Sequence, residues 1–186
     1  VLEFCALLEA ERLDVSWIGF IRGDCFSDNI AAAMKAAGCH QVLVGVETGS
    51  PEIAKRIGKS IDYDRYKKAV DIAHRHGMEV RASFIIGSLD ETWATMSDSL
   101  NMALDVDFDF VQLFISTPYP GTAMYKEAAE RGWLTAASWD DYGQARVLVN
   151  QPQISAEDIY RFERHFNRRF YTVSYTHLRA HETRTN

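Results

Sequence analysis

Cysteine and proline are scarce in this sequence of 186 residues, which contains three cysteines and four prolines. The cysteines are widely separated, at positions 5, 25 and 39. An odd number without a repeated short spacing excludes a disulfide scaffold, and it predicts no complete metal or iron–sulfur site within these residues. We interpret the three thiols as core or interface groups, since a free cysteine packs as a small hydrophobic residue.

Long apolar runs and an excess of positive charge are absent as well. No apolar run approaches the roughly 20 residues that a membrane span needs, and no signal peptide is visible, so we predict a cytoplasmic protein without a membrane span. The formal net charge of −6 predicts no general attraction to nucleic acid or to anionic membranes. The sequence begins with Val1 and not with methionine, which leads us to expect a fragment whose upstream part is missing.

The sequence does contain a regular alternation of helical and apolar segments. Periodicity, caps and glycine stops predict helices at 28–37, 51–57, 62–76 and 90–104. Segments rich in valine, isoleucine and phenylalanine predict strands at 15–21, 41–46, 79–86 and 108–116. This alternation predicts parallel pairing with right-handed crossovers, and the near-continuous apolar strands predict a sheet covered on both faces. Four strands are too few to close a barrel, which normally needs eight strands, or about six in a partial barrel. The pattern fits a barrel or an open α/β sheet. Our predicted fold class is α/β, the C-terminal part of a partial (β/α) TIM-like barrel with the other strands upstream, plus a C-terminal helix.

The pattern changes after Ser116, where a proline-rich turn leads into a further helix. We predict three regions: a partial barrel over residues 1–142, a C-terminal helical extension over 143–173, and a tail over 174–186. Ser155 is the predicted cap of a helix in the extension, whose apolar stripe consists of Ile159, Phe162, Phe166 and Phe170. The tail has almost no apolar content and resembles translated adapter read-through, so we expect it to be foreign and disordered.

Two strand ends carry the most informative residues. The apolar run that begins at Val42 ends in Glu47, followed by two small residues and a helix start at Ser50. This pattern is typical of a buried strand that delivers a carboxylate to the rim of a pocket. The next strand, from Arg81, ends in the same way at Gly87. The two strand ends together predict a cofactor bound at the carboxyl edge of a parallel sheet.

Several ordered pieces of the chain resemble the radical S-adenosylmethionine (SAM) superfamily over about residues 13 to 142. They are Trp17 to Arg22, AAGC at 36–39, GVETGSPEI at 45–53, Arg56 to Lys59, HGMEVRASFIIGSLDET at 76–92 and TPYPGTAMY at 117–125. Each piece is weak by itself, and their order and spacing together are fairly specific. The resemblance is closest to the branch with cobalamin-binding domains, which includes enzymes of the anaerobic magnesium-protoporphyrin ester cyclase and hopanoid-biosynthesis types.

The resemblance implies a partial (β/α) barrel with a 4Fe-4S cluster on a CxxxCxxC loop, where SAM binds the open iron. Reductive cleavage of SAM gives a 5′-deoxyadenosyl radical for a biosynthetic reaction. The implied partners are a small-molecule substrate and a reductant such as ferredoxin or flavodoxin, and cobalamin is a possible further cofactor of the full-length protein. This sequence has no CxxxCxxC. We therefore expect the cluster loop upstream and the fragment alone to be inactive.

The resemblance also assigns cofactor contacts to particular residues. It places Glu47 beside SAM, where a carboxylate can accept hydrogen bonds from ribose hydroxyls or from the amino group. It places Lys59 where an ammonium can bind the methionine carboxylate. The alternative for these two residues is a surface ion pair, worth about 1 kcal/mol or less. Ser83 matches a position that can bond ribose, and the alternative is a tolerated small core residue.

Adenine contacts are expected from the end of the same strand as Ser83. Ile86, with Ile85, is predicted to supply an apolar or backbone contact to adenine, and Gly87 to allow close approach of the backbone. Arg22 ends the first strand, and its planar, fixed charge suits a ligand carboxylate. The alternative for Arg22 is an ion pair with Asp24 or Glu47.

Substrate contacts are expected on and after the last strand. Gln112 lies on that strand and Tyr119 lies between two prolines just after it. The resemblance places this region toward the substrate, and the prolines alone could also explain a stiff turn without any function. No catalytic residue and no metal ligand is assigned within these 186 residues.

Two further hypotheses for the function are kept open. One is another parallel α/β barrel enzyme, of aldolase or phosphate-sugar type, in which Lys59 or Arg22 would bind the substrate directly. The lack of a lysine at a strand end suited to a Schiff base disfavours it. The other is a non-catalytic module that keeps a nucleoside pocket.

Overall fold

A computed structural model describes residues 1–143 and 145–182, with side chains as far as residue 172. The helices are α1 (Leu2–Ala10), α2 (Asp28–Ala36), α3 (Pro51–Arg56), α4 (Tyr63–Arg75), α5 (Trp93–Asp105), α6 (Ala123–Glu130) and α7 (Ala156–Glu182). The strands are β1 (Trp17–Ile21), β2 (Cys39–Glu47), β3 (Glu79–Ile86) and β4 (Phe110–Ile115). No helix in the described part of the chain is long and apolar enough to cross a membrane.

The four strands are parallel and pair in chain order, β1-β2-β3-β4. In the first pair Trp17 lies opposite Cys39 and Ile21 opposite Val44, with one irregularity after Trp17. Helices separate successive strands, as parallel pairing requires. The predicted α/β class and the four predicted strands are therefore confirmed.

The contacts between residues divide the chain into two compact units. The first unit consists of Val1–Val46, Asp62–Ser83 and Met102–Gln112, and the second of Glu47–Ile61, Phe84–Asn101 and Leu113–Asn186. The division cuts β2, β3 and β4 across their length, so that their carboxyl ends belong to the second unit. It does not follow the three regions expected from the sequence, whose boundaries remain a prediction.

In the first unit, turn chemistry fixes the ends of the helices. The Asp62 carboxylate accepts a hydrogen bond from the Arg65 N–H at 3.0 Å and caps α4. Gly38 follows α2 with φ of +90°, and a Cβ there would lie 2.0 Å from the Val15 carbonyl oxygen, so only glycine fits. His74 Nε2 lies 2.8 Å from Asp109 Oδ2, and this hydrogen bond raises the pKa of the imidazole. The contact gives His74 a structural role.

One expectation about the sheet is wrong for the described residues. In β3, Val80 and Ala82 are buried while the alternate residues Arg81 and Ser83 are only half-buried. In β1 the alternation is stronger, because Phe20 is 85% exposed. The apolar runs therefore do not indicate equal burial on both faces. In β3 one face is buried, and within the described chain the other face is only partly covered.

In the second unit, the core is built around α7. The predicted stripe of Ile159, Phe162, Phe166 and Phe170 is buried, which confirms the helical periodicity. The Ser155 hydroxyl accepts a hydrogen bond from the Asp158 N–H at 3.1 Å, as expected for the cap. The helix continues to Glu182. The predicted disordered tail over 174–186 stays a prediction, because residues 183–186 and the side chains after residue 172 lie outside the described residues.

Candidate cofactor site at two strand ends

The end of β2 combines an unusual backbone conformation with an accessible ion pair. Glu47 has φ of +71°, a left-handed conformation that costs a non-glycine residue about 1 kcal/mol or more. Lys59 Nζ lies 3.0 Å from Glu47 Oε1. The Glu47 side chain is 24% exposed and the Lys59 side chain is 41% exposed. The structure thus brings these two predicted residues together and leaves both charged groups within reach of a ligand.

The Glu47–Lys59 contact is the ion pair that was the alternative to a cofactor role. An exposed pair of this kind contributes little to stability, about 1 kcal/mol at most. That small gain does not account for a strained backbone at Glu47. Backbone strain of this kind is concentrated at functional sites. A carboxylate and an ammonium at one strand end also suit a ligand that carries hydroxyl, amino and carboxylate groups.

The turn after Glu47 is held by α5. The Gly49 N–H donates to Ser99 Oγ at 2.8 Å, and the Ser50 N–H donates to Thr48 Oγ1 at 3.1 Å. A Cβ on Gly49 would lie 2.5 Å from the Asp98 carbonyl oxygen. Glycine is needed here for close packing against α5.

The end of β3 is more deeply buried than the end of β2. Ile86 is fully buried, and its carbonyl accepts a hydrogen bond from the Ser116 N–H at 2.8 Å. Gly87 has φ of +79°, and a Cβ there would lie 3.2 Å from Ile159 Cδ1 of α7. The side chain of Ile86 is therefore committed to the core, which disfavours it as an adenine contact, while Ile85 is half-buried. The predicted contacts of Ile86 and Gly87 with adenine stay predictions.

A buried carboxyl group that the sequence reasoning did not single out stabilises the turn after β3. Glu91 is 0% exposed, and its Oε2 accepts a hydrogen bond from the Ser88 N–H at 2.9 Å. Burial raises the pKa of Glu91 to about 7, although the N–H groups of Ser88 and Gly87 act in the opposite direction. Its Oε1 has no hydrogen-bond partner among the described residues. The signal that could have found Glu91 is its position four residues after a glycine that ends a strand.

The same turn is fixed from outside by a ring of four charged side chains. Asp90, with φ of +61°, pairs with Arg56 at 2.8 Å and with Arg131 at 2.7 Å. Both arginines also pair with Glu127, Arg56 at 2.5 Å. Networks of several charges contribute more than isolated surface pairs. The ring holds a second left-handed residue of the second unit in place.

Tyr119 lies beside an aromatic cavity. Its ring is about half exposed and stacks on Tyr142, with 5.7 Å between ring centroids and 24° between ring planes. A cavity of about 170 Å³ is lined by Pro120, Tyr125, Ala136, Ala137, Ser138, Trp139 and Tyr142. The predicted role of Tyr119 in substrate binding stays a prediction, and the aromatic lining is compatible with it.

The remaining predicted residues belong to the first unit. Arg22 is exposed and pairs with Asp24, with 2.8 Å between Arg22 Nη2 and Asp24 Oδ2. This is one of the two ion pairs considered for Arg22. Ser83 is half-buried on β3, and Gln112 is exposed on β4. Their predicted contacts with SAM and with a substrate stay predictions.

The cysteines do not fit an iron–sulfur cluster. Cys5 and Cys39 are buried and Cys25 is exposed. Burial raises the pKa of both Cys5 and Cys39, which disfavours the thiolate that a cluster needs. No group of three or more potential metal ligands occurs within the described ranges. Among the described residues, no set of side chains therefore fits the ligands of a 4Fe-4S cluster.

Sequence comparison decides between the families. The sequence profile of the Radical SAM superfamily matches residues 3–103, more than half of the chain. The chain belongs to the radical SAM superfamily. The hypothesis of an aldolase or phosphate-sugar barrel is thereby set aside.

Relatives within the superfamily include an uncharacterized methyltransferase of Pyrococcus horikoshii. It is 35% identical over 152 residues, which cover 82% of this chain and 33% of the relative. The anaerobic magnesium-protoporphyrin IX monomethyl ester cyclase of Rubrivivax gelatinosus is 26% identical over 132 residues, which cover 70% of this chain and 24% of the relative. This radical SAM chain thus spans a quarter to a third of the length of these relatives. They confirm the predicted resemblance to the cyclase-type branch.

A solved structure confirms the fold class. The radical SAM methyltransferase TsrM of Kitasatospora setae, solved with cobalamin and a [4Fe-4S] cluster bound, matches with a TM-score of 0.57 and 21% identity. The match covers 85% of this chain and 33% of that chain. The parallel strands of the radical SAM chain are therefore part of the partial barrel that the resemblance implied.

Proposed function

We propose that this chain forms the SAM-binding, carboxyl-terminal part of a radical SAM enzyme core. The observation that carries the proposal is the Glu47–Lys59 pair, 3.0 Å apart, at the end of β2. Membership of the superfamily implies SAM and a 4Fe-4S cluster as cofactors. A strained, half-buried carboxylate at the carboxyl end of a parallel strand supports a ligand-binding role, because ligands of such sheets bind there.

In this proposal the two charged side chains bind different polar groups of SAM. The Glu47 carboxylate accepts hydrogen bonds from the ribose hydroxyls or from the amino group. The Lys59 ammonium, which is more exposed than Glu47, binds the methionine carboxylate. The ligand thus replaces one weak ion pair by charge-assisted contacts at both residues.

The cluster does not fit this chain, so the proposal places its ligands on a segment outside these 186 residues. SAM, when bound, supplies the methyl group or the radical that the superfamily uses. The name of the Pyrococcus relative and the cobalamin bound to TsrM favour methyl transfer with cobalamin as a further cofactor. The proposed partners are a small-molecule substrate and a reductant such as ferredoxin or flavodoxin.

Substrate binding is proposed for the aromatic surface next to Tyr119. The stacked rings of Tyr119 and Tyr142 and the exposed ring of Trp139 offer flat apolar faces. Such faces favour a planar, unsaturated substrate through stacking. Gln112 remains a predicted polar contact of the substrate.

The proposal is tested by the affinity of the chain for S-adenosylhomocysteine, which keeps the nucleoside and amino-acid parts of SAM. We expect isothermal titration calorimetry to show binding, and Glu47→Gln to weaken it about 10-fold through loss of a charge-assisted contact. The matched control is Glu52→Gln, which removes an exposed carboxylate from the first turn of α3. Equal affinities of the wild type and Glu47→Gln would remove Glu47 from the site.

A further inference from the structure

The turn that follows β3 is held by an amide side chain from a distant part of the chain. Gln151 is buried, with 3% of its surface exposed. Its Nε2 donates to the Ser88 carbonyl oxygen at 2.9 Å, and its Oε1 accepts from the Asp90 N–H at 2.8 Å. Both polar groups of the amide thus pair with the backbone of the same turn, as a neighbouring strand would.

The orientation of the Gln151 amide is fixed by the Asp90 N–H, which can only donate, and the Ser88 carbonyl, which can only accept. Gln153 Nε2 donates to Gln151 Oε1 at 3.0 Å, so this oxygen receives two hydrogen bonds. A flipped amide would place its NH₂ group against two donors and its oxygen against the Ser88 carbonyl. The reversed arrangement is therefore unfavourable at every contact.

The segment that carries Gln151 is itself anchored within the second unit. The Asn150 N–H donates to the Trp133 carbonyl at 2.7 Å, and the Thr135 N–H donates to the Leu148 carbonyl at 3.0 Å. Gln151 also forms an antiparallel bridge with Ile154. These contacts give the amide a rigid base. Residue 151 lies outside the residues 3–103 that match the superfamily profile.

With the Gln151 contacts, both the N–H and the carbonyl group of Ser88 form hydrogen bonds to side chains. Glu91 accepts the Ser88 N–H, and Gln151 pairs with the Ser88 carbonyl and the Asp90 N–H. Asp90 keeps its left-handed conformation between these contacts. The turn that begins one residue after Gly87 is therefore held by a residue 63 positions after Ser88.

We propose that Gln151 is a positioning residue for SAM: it holds the 87–91 turn in the conformation in which the Gly87 backbone meets the nucleoside. This inference rests on the proposed function. It makes the carboxyl-terminal extension a part of the cofactor site and gives it more than a packing role. Gln151 itself acts on the turn and does not touch the ligand.

Three variants of the 186-residue chain test the inference. Gln151→Met keeps the size of the side chain and removes both hydrogen bonds. Gln151→Glu keeps the shape, but its ionised carboxylate cannot donate to the Ser88 carbonyl, whereas the protonated acid can. Asn150→Asp adds the same charge at the exposed neighbouring position and is the control. The dissociation constant for S-adenosylhomocysteine is measured near pH 5 and near pH 8 and divided by the wild-type value at each pH, so that titrations common to both proteins cancel.

The inference predicts a pH-dependent rescue. Near pH 8 the affinity of Gln151→Glu falls about 10-fold, and near pH 5 it returns to within about 2-fold of the wild type, because burial favours the protonated acid. Gln151→Met loses about 10-fold at both pH values, and hydrogen exchange at the Asp90 amide becomes faster. Asn150→Asp matches the wild type throughout.

Three results would overturn the inference. The first is a Gln151→Glu affinity that does not depend on pH after division by the wild-type value. The second is a loss of stability in Gln151→Met or Gln151→Glu with unchanged affinity for the probe, and the third is unfolding of Gln151→Glu near pH 8. The second and the third result would each make Gln151 a purely structural residue. Failure of the wild-type chain to bind the probe would instead contradict the proposed function. Glu47→Gln does not touch the turn. If it weakens binding while the Gln151 variants do not, the proposed function stands and only the inference about Gln151 fails.

Discussion

The ends of β2 and β3 occupy equivalent places in the fold and are built in opposite ways. The β2 end presents a charged, half-exposed pair, Glu47 and Lys59, on a left-handed backbone. The β3 end is buried and held by Glu91 and Gln151. Asp90 is paired with two arginines and Glu91 is buried, so neither charged side chain of the described turn is offered to a ligand. One strand end therefore presents side chains to a ligand, while the other presents a backbone of fixed shape.

This contrast makes stability and binding separable at the two sites. Substitutions in the buried turns should cost stability first, because they leave cavities, clashes or unpaired polar groups. Substitutions in the exposed pair should cost binding and little stability.

The largest effect is expected where the β2 turn packs against α5. Gly49→Ala places a Cβ 2.5 Å from the Asp98 carbonyl oxygen, so we expect a loss of about 3 kcal/mol in the free energy of unfolding. Urea denaturation followed by circular dichroism measures it. Gly58→Ala is the control, since nothing lies within 4 Å of that Cβ, and its φ of +70° costs only about 1 kcal/mol. Equal losses in the two variants would show that Gly49 is not tightly packed.

The next effect concerns Glu91 and pH. Its carboxyl group binds a proton more tightly in the folded chain, with a pKa of about 7, than in the unfolded chain, with a pKa of about 4.5. The stability that protonation of Glu91 provides is therefore fully present below pH 4.5 and is lost as the pH rises to about 7, by on the order of 3 kcal/mol. Urea denaturation across this range should show a decline that is smaller by that amount in Glu91→Gln, while the raised pKa of His74 leaves a decline of its own in both proteins. An identical pH profile in the variant would place the titration elsewhere.

A smaller effect of opposite sign is expected at Glu47. Glu47→Gly removes the cost of the left-handed backbone, so we expect the free energy of unfolding to rise by about 1 kcal/mol. Affinity for S-adenosylhomocysteine should fall at the same time. Thermal unfolding and calorimetry on the same sample measure both quantities. A variant that loses stability would show that the left-handed conformation is not strained.

The smallest effect is expected at Lys59. Lys59→Gln breaks an ion pair whose lysine side chain is 41% exposed, so the free energy of unfolding should change by about 0.5 kcal/mol or less. A loss well above 1 kcal/mol would make the pair structural and remove the contrast with the β3 end. High salt should reduce even the small effect.

The sequence predicts the local features of this fold well and the distant contacts poorly. Apolar periodicity places the strands within about two residues, and the family spacing pairs Glu47 with Lys59. Helix α5 begins at Trp93 and not near residue 90, because Asp90 adopts a left-handed conformation and Glu91 turns back to Ser88. Gln151 was not foreseen, because no periodicity links an amide to a turn more than 60 residues earlier.

Chemical-shift mapping of the 186-residue chain with S-adenosylhomocysteine tests the central claim most directly. Amide resonances of a ¹⁵N-labelled sample are followed during titration. The account predicts shifts concentrated at residues 47–49, at Lys59 and at residues 85–88. Shifts confined to other parts of the chain, or a spectrum unchanged at millimolar ligand, would contradict the assignment of these two strand ends to the cofactor.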